Sequence, residues 1–331
     1  MDEYESILLS RSEVASLLEV SECIPAVESA FAMLADGKAS TSKVVGIHVN
    51  DGGFHIKAGS MRFNLNYFVA KSNGNFPLNT TKYNLPTIQG IIIVCNAENG
   101  NVLAVMDSIE ITIIRTGAAT GVAAKYLSRT DSKVATICGC GNQGRISLKA
   151  LLSVRKIERA FVYDTDFARS KSFAVKMSGE LNIEIIPVEE LRSAVLQSDI
   201  CVTCSPSKQP LLFKDYIRPG TFIAAVGADS PEKNEIDSAL ISGSKLVVDI
   251  SEQSASIGDL HHALKTGIVN ISHIHAELGE IIAGKKAGRE NDEEIIVFDS
   301  TGTALQDIAS AAIVYTKALE SNIGLKFNFG T

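Results

Sequence analysis

No stretch of this sequence stays apolar for the roughly 18 to 20 residues that a bilayer-spanning helix requires. Its first residues, Met-Asp-Glu-Tyr-Glu-Ser, are acidic where a secretory leader needs basic charge, so a cytoplasmic protein with no membrane partner is expected. Positive charge is in deficit: 31 Lys and Arg face 38 Asp and Glu, for a formal net charge of −7. That balance argues against a broad surface for nucleic acid. Repeats, linker-rich stretches and low-complexity tracts are missing. So is any convincing set of metal ligands. Of the six cysteines, at 23, 95, 138, 140, 201 and 204, only Cys201-Val-Thr-Cys204 has redox or zinc spacing. That pair sits in an apolar strand-like run with no second pair to complete a site. His261-His262 and His273-Ile-His275 likewise lack carboxylates at ligand spacing, so no metal is expected and the cysteines read as buried free thiols. What is present, 331 residues at 45% hydrophobic and 21% charged, describes a soluble globular protein of about two domains.

The most informative stretch is Val134-Ala-Thr-Ile-Cys-Gly139-Cys-Gly141-Asn-Gln-Gly144-Arg145. An apolar β-branched run leads into Gly-x-Gly-x-x-Gly, and Ile146, Leu148, Leu151 and Leu152 follow at helical spacing. This is the strand, turn and helix order of a dinucleotide fingerprint. Gly139 permits the tight turn, Gly141 lets backbone approach a pyrophosphate, and Gly144 allows close helix-to-sheet packing. Ala160-Phe-Val-Tyr163 reads as the next strand and ends at Asp164, 20 residues after Gly144. An acidic side chain there can accept from the ribose hydroxyls and repels a 2′-phosphate. The candidate cofactor-binding residues are thus Gly139, Gly141, Asn142, Gln143, Gly144 and Asp164. The bland alternative is an ordinary αβ turn, which the flanking elements and Asp164 argue against.

In chain order, Ser10-Arg-Ser-Glu13 is a capping box that starts a short helix, and a second helix is expected from about Ile24 to Asp36, stopped by Gly37. Val44 to Val49 and Phe54 to Ala58 flank Asn50-Asp-Gly-Gly53 as a hairpin. Tyr67 to Ala70, Ile88 to Cys95 and Val102 to Met106 read as further strands. The small-residue run Arg115-Thr-Gly-Ala-Ala-Thr-Gly-Val-Ala-Ala124 has helical tendency and is expected to link two domains. Beyond it come helix 143 to 154, strand 160 to 164, helix 167 to 181, strand 183 to 187, helix 188 to 197, and strands 200 to 204, 222 to 226 and 245 to 249. Such alternation predicts a mostly parallel sheet covered on both faces. Gly302 to Glu320 reads as a long amphipathic helix returning to the first domain.

Phe68-Val-Ala-Lys71-Ser-Asn-Gly-Asn-Phe-Pro77, Leu85-Pro-Thr87, Ala104-Val-Met-Asp107, Arg115-Thr-Gly-Ala-Ala119, Gly139-Cys-Gly141, Val226-Gly-Ala-Asp229-Ser-Pro231, His275-Ala-Glu-Leu-Gly279, Gly288-Arg-Glu-Asn-Asp292 and Phe298-Asp-Ser-Thr-Gly302 occur in order through nearly the whole chain. Together they resemble the ornithine cyclodeaminase/mu-crystallin family, in particular its alanine dehydrogenase and ketimine reductase branch. The resemblance implies an α/β chain: a Rossmann-type doubly wound parallel sheet domain, residues 116–304, beside an α+β substrate and dimerisation domain, residues 1–115 with 305–331. It also implies a homodimer, NAD(H) or NADP(H), and hydride exchange with the α-carbon of a small amino or imino acid. Lys57, Lys71 and Arg115 are the cations expected at the substrate carboxylate, Arg115 by a bidentate grip and each Lys as a point charge. Lys71 falls on the family's active-site lysine, and Asp229, just past the strand Phe222 to Val226, on its acid/base. Thr116, Ser205, Ser207, Asp299 and Ser300 are further expected cofactor contacts.

One residue departs from the cyclodeaminases. The resemblance places Glu there, and Arg in alanine dehydrogenases, where this chain has Lys57 in His55-Ile-Lys57-Ala58. A cation adds carboxylate affinity and repels the side-chain ammonium of ornithine. The expected activity is therefore an NAD(H)-preferring amino-acid dehydrogenase or imino-acid reductase, with NADP(H) possible because Arg169 and Lys171 lie near Asp164. The rivals are a cyclodeaminase that recycles its NAD and a ligand-binding protein without activity.

Overall fold

The computed structural model describes residues 5–42 and 44–329 of the chain; the acidic residues 1–4 lie outside the described residues. The chain divides into two compact units, Met1–Arg115 with Thr303–Thr331, and Thr116–Gly302. The division falls within the small-residue helix Ile109–Leu127. No helix among the described residues is long and apolar enough to cross a membrane.

In the first unit Ser10 and Glu13 form the capping box, the Glu13 carboxylate accepting from the Ser10 amide at 2.8 Å, and helix Arg11–Leu17 starts there. Helix Val20–Ala35 begins a turn earlier than its apolar spacing suggests and buries Cys23, Val27, Ala30 and Phe31. Strands Val45–Val49 and Gly52–Arg62 form the expected hairpin, closed by Asn50 and Asp51, with Asp51 at φ 64°. Such left-handed backbone is tolerated by Asp better than by most residues. Strand Asn66–Asn75 runs well past Ala70, because both neighbours pair with it through its polar second half. Spatially the sheet runs Leu325–Asn328, Glu5–Leu9, Val102–Asp107, Ile88–Asn96, Asn66–Asn75, Gly52–Arg62, Ala39–Thr41, with Val45–Val49 also on Gly52–Arg62.

Strand periodicity then sorts the side chains. Met61, Tyr67, Val69, Lys71 and Ile92 share one face and are buried. Helix Ala304–Ser321 covers it: Tyr315 meets Tyr67 edge to face at 6.4 Å, and a Cβ on Gly59 would stand 3.2 Å from Ile308 Cδ1. Each large side chain buried there contributes about 1.5–3 kcal/mol. On the opposite face Val45, Ile47, Phe54, Phe68 and Ile91 remain exposed.

The second unit is a parallel sheet in the order Glu184–Pro187, Arg159–Tyr163, Val134–Cys138, Ile200–Thr203, Phe222–Ala225, Ile296–Asp299, Lys245–Val248, Ile274–Glu277. Strand order reverses between the parallel neighbours Val134–Cys138 and Ile200–Thr203, the switch point at which such sheets bind ligands beyond their carboxyl ends. Helix Phe167–Leu181 has the expected bounds, capped by Asp166 accepting from the Ala168 amide at 3.0 Å. The helix expected at 188–197 is only Leu191–Val195, since Glu190 accepts from the amides of Arg192 and Ser193 and so sets its start. Ile296–Asp299, absent from the sequence reading, lies in the interior of the sheet.

Candidate active site

The fingerprint turn is built for a close backbone approach. Gly139 has φ +115°, and a Cβ on it would stand 3.0 Å from the Cys204 carbonyl oxygen. A Cβ on Gly144 would overlap the carbonyl oxygen of Gly139, so the helix Asn142–Val154 sits as close to the turn as glycine allows. Gly141, the helix N-cap, has open space where its side chain would be. Gly141 and Asn142 are exposed, Gln143 is half-buried, and no side chain caps the helix. Free amides at the positive end of a helix, with no Cβ in the way, fit a pyrophosphate. Asp164 accepts from the Cys140 amide at 3.0 Å and the Asp166 amide at 3.1 Å. The expected ribose-binding carboxylate thus also holds the turn in shape. Among the thiols, Cys138 and Cys201 are buried, while Cys140 and Cys204 at this edge are partly accessible, unlike the uniform burial expected of them.

The loops at the carboxyl edge of the sheet are tied together by carboxylates, of which sequence reasoning missed Glu235 and Asp259. Glu235 is fully buried; its Oε1 accepts from the Ser205 amide at 2.6 Å and hydroxyl at 2.7 Å, and its Oε2 from the Gly227 amide at 3.0 Å. A side chain on Gly227 would overlap that oxygen. Asp259 in turn accepts from the Glu235 and Ile236 amides at 2.6 and 3.0 Å. Asp299 accepts from the Asp259 and Leu260 amides at 3.2 and 3.0 Å. Burial pushes Glu235 up to about 8 and Asp259 up to about 6 and raises Asp299 as well, with repulsion from Asp259 adding to the rise at Glu235 and Asp299.

Asp299 is wholly enclosed, and its two oxygens accept from the Asp259 and Leu260 amides, so its carboxylate holds the Gly258–Leu260 segment. Ser300 is similarly turned inward, its hydroxyl 3.3 Å from Asp249, which also accepts from the Thr301 and Gly302 amides at 2.8 and 2.7 Å. Ser205 is anchored to Glu235, and the Ser207 hydroxyl donates to the Gln209 carbonyl at 2.7 Å, closing its own loop. Thr116 is buried. Asp229 is exposed beyond the strand Phe222–Ala225 and ion-paired with Lys233 at 2.6 Å.

In the first unit the predicted cations do converge. Lys57 and Lys71 are directly opposed across two antiparallel strands and so share the face beneath helix Ala304–Ser321. Lys71 is buried, with Nζ 2.7 Å from Asp307 Oδ1 and 3.5 Å from Thr112 Oγ1. Arg115, also buried, donates Nη1 to Gln306 Oε1 at 2.7 Å and has Nε 3.3 Å from Asp307 Oδ1. Burial, with smaller contributions from Arg115 and Lys57, pulls Lys71 down to about 7 against the opposing pull of Asp307. A lysine in that range can both hold an anion and exchange a proton near neutrality. Gln306 and Asp307 were not anticipated. Their signal is two adjacent polar residues in the otherwise apolar start of a buried helix.

These features define a dinucleotide-binding α/β protein whose separate α+β unit carries a buried cluster of cations. Residues 4–322 match the model of the ornithine cyclodeaminase/mu-crystallin family, and the chain belongs to that family. It is 38% identical to alanine dehydrogenase of Archaeoglobus fulgidus over 98% of this chain and 99% of that protein. Among solved structures it is similar to an archaeal alanine dehydrogenase dimer with bound NAD, at TM-score 0.94 and 38% identity over 98% of this chain and 99% of the other. It is also similar to Δ1-pyrroline-2-carboxylate reductase of Thermococcus litoralis in complex with NADH and L-proline, at TM-score 0.92 and 40% identity over 96% and 99% of the two chains.

Proposed function

We propose that this protein is an NAD(H)-dependent oxidoreductase that interconverts a small α-amino acid and its imino acid. The observation that carries the reading is the buried Lys71–Asp307–Arg115 cluster with Lys57 opposite Lys71. It offers fixed cationic donors to a carboxylate in a setting where each charge-assisted bond is strong. The bound nicotinamide would supply the hydride exchanged with the α-carbon. Arg115 and the two lysines hold the substrate carboxylate, and Asp229 exchanges the proton at nitrogen. The backbone of Gly139–Gly144 and the Asp164 carboxylate hold the dinucleotide, with Thr116 and the Ser205–Ser207 loop shaping its surroundings. Lys57 supports the redox reading over cyclodeamination, because a second cation opposite Lys71 repels the side-chain ammonium of a diamine.

The exposed apolar face of Val45, Ile47, Phe54, Phe68 and Ile91 supports a homodimer built through this unit, as contiguous apolar patches mark interaction surfaces. Light scattering should give twice the chain mass at micromolar concentration; a monomer there counts against it. The activity is tested by following NADH absorbance with cyclic imino acids, and with 2-oxo acids plus ammonia or amines. Turnover of at least one is expected. Conversion of ornithine or lysine to a cyclic imino acid with no net NADH formed would overturn the choice.

A further inference from the structure

We propose that Asp307 is the positioning residue of the carboxylate-binding cluster: its buried carboxylate keeps Lys71 protonated and fixes Lys71 and Arg115 at a set spacing for the incoming anion. The inference rests on Lys71 and Arg115 being substrate-binding groups. Strand Gly52–Arg62 brings Lys57 to the cluster, with His55 two residues along, and strand Ile88–Asn96 brings the uncharged Ile92 opposite Lys71. Helix Ile109–Leu127 brings Arg115 and Thr112. Helix Val20–Ala35 brings Cys23, 3.0 Å from the Ser310 hydroxyl, and burial pushes this thiol up to about 12, so it is neutral; Glu22 on the same helix is ion-paired with Lys317. Helix Ala304–Ser321 brings Asp307, which sits at hydrogen-bond distance from Lys71 Nζ and at ion-pair distance from Arg115 Nε.

A carboxylate buried on the apolar side of a helix is expensive to desolvate unless it is paired. Two buried cations at hydrogen-bond and ion-pair distance are what make Asp307 tolerable there. The converse also holds. Lys71 is already drawn down to about 7, and Asp307 is the group that opposes burial, Arg115 and Lys57. Without that anion Lys71 loses its proton at neutral pH and ceases to be a cation for the substrate carboxylate. Neighbouring residues on one helix turn divide the work, Gln306 orienting the far end of Arg115 and Asp307 its near end together with Lys71. The spacing of the two donors is thereby set before substrate arrives, which lowers the ordering cost of binding.

The test follows Lys71 directly. In full-length protein enriched with 13Cε-lysine, the Lys71 resonance, assigned by its loss in Lys71→Met, is titrated in wild type and in Asp307→Asn. The midpoint is expected near neutrality in wild type and lower by about one unit or more in the variant. In parallel, kcat/KM for imino-acid reduction should fall about tenfold or more at pH 8 and recover progressively toward pH 6, while NADH affinity by fluorescence stays as in wild type. An unmoved midpoint in folded Asp307→Asn, or a loss of equal size at both pH values, overturns the proposal. Asp307→Glu keeps the charge on a longer arm, so its Lys71 midpoint stays near wild type while KM for the imino acid rises. It carries the test alone if the Asn variant does not fold, an unchanged KM then overturning the proposal. A midpoint that moves in Asp307→Asn although wild type reduces no imino acid would sink the functional reading and leave the control of Lys71 by Asp307 standing.

Discussion

In Met1–Arg115 with Thr303–Thr331 the groups proposed to act are side chains: Lys71, Arg115, Gln306 and Asp307 meet in the interior, and the half-buried Lys57 lies opposite Lys71, the five coming from four elements. In Thr116–Gly302 they are largely backbone. The fingerprint offers amides and empty space, and buried carboxylates such as Glu235 and Asp259 hold the loops from behind. A backbone site depends on where glycine allows the chain to go, whereas a side-chain site depends on how charges balance in a low dielectric. The two should fail in different ways.

The largest effect is expected at Gly144. Its missing Cβ leaves room for the Gly139 carbonyl, so Gly144→Ala must displace the helix, costing about 1–3 kcal/mol or more as overpacking does, with NADH binding lost. Gly141→Ala meets nothing within 4 Å and should melt like wild type while still weakening NADH, because its new methyl lies where the pyrophosphate approaches. Paired thermal melts and fluorescence titrations separate the two; equal melting losses would break the distinction between a glycine for packing and a glycine for ligand.

Lys57→Ala comes next and probes the other unit. Loss of one charge-assisted hydrogen bond to the substrate carboxylate costs roughly 1.5–3 kcal/mol, or about ten- to a hundredfold in kcat/KM. NADH affinity should not change, since the fingerprint belongs to the second unit. A variant that loses NADH affinity and keeps its imino-acid KM would reverse the assignment of roles.

Glu235→Gln tests the supporting carboxylates. Glu235 in the folded protein is raised from 4.5 to about 8, so the native state holds a proton that the unfolded chain releases at lower pH. This contribution to stability is complete below about pH 4.5 and is lost as pH rises through about 8. Wild-type Tm should therefore decline across that window, and Glu235→Gln, which cannot ionise, should flatten the decline. The same variant places an amide NH2 against either the Ser205 or the Gly227 donors, costing about 1–3 kcal/mol. A Tm profile unchanged by the substitution would show that Glu235 is ionised throughout.

These contrasts explain which parts were legible in the sequence. The fingerprint was readable because strand, turn and helix are contiguous and each glycine answers a local steric demand, and the capping box and the Asn50-Asp51 hairpin were readable for the same reason. Strand Ile296–Asp299 was not, being four residues long with no alternation, since both of its faces are buried. Strands Glu5–Leu9 and Leu325–Asn328 pair with each other from opposite ends of the chain, and no local pattern announces that. Asp307 lies 236 residues from Lys71. Only the fold brings them together, although a carboxylate within an apolar helical stripe should itself prompt a search for a buried cation.

The smallest effect concerns Asp164, where the two kinds of site overlap, a side chain serving a backbone turn. A carboxylate at the end of the second strand would face the adenosine ribose and repel a 2′-phosphate, so kcat/KM with NADH should exceed that with NADPH. Arg169 lies close enough to the same turn to act on Cys140 and could soften the preference. Asp164→Ser should narrow the cofactor ratio by removing the repulsion. It should also cost about 0.5–1.5 kcal/mol in Tm-derived stability, because the carboxylate accepts from the Cys140 and Asp166 amides. A serine hydroxyl can replace one of those acceptors but not both, so some loss of NADH affinity should accompany the relaxed preference. A wild-type enzyme that favours NADPH would show that Arg169 and Lys171 outweigh Asp164. A Ser variant with unchanged stability but altered cofactor choice would show that the turn is held by Gly139 and its neighbours without help from the carboxylate.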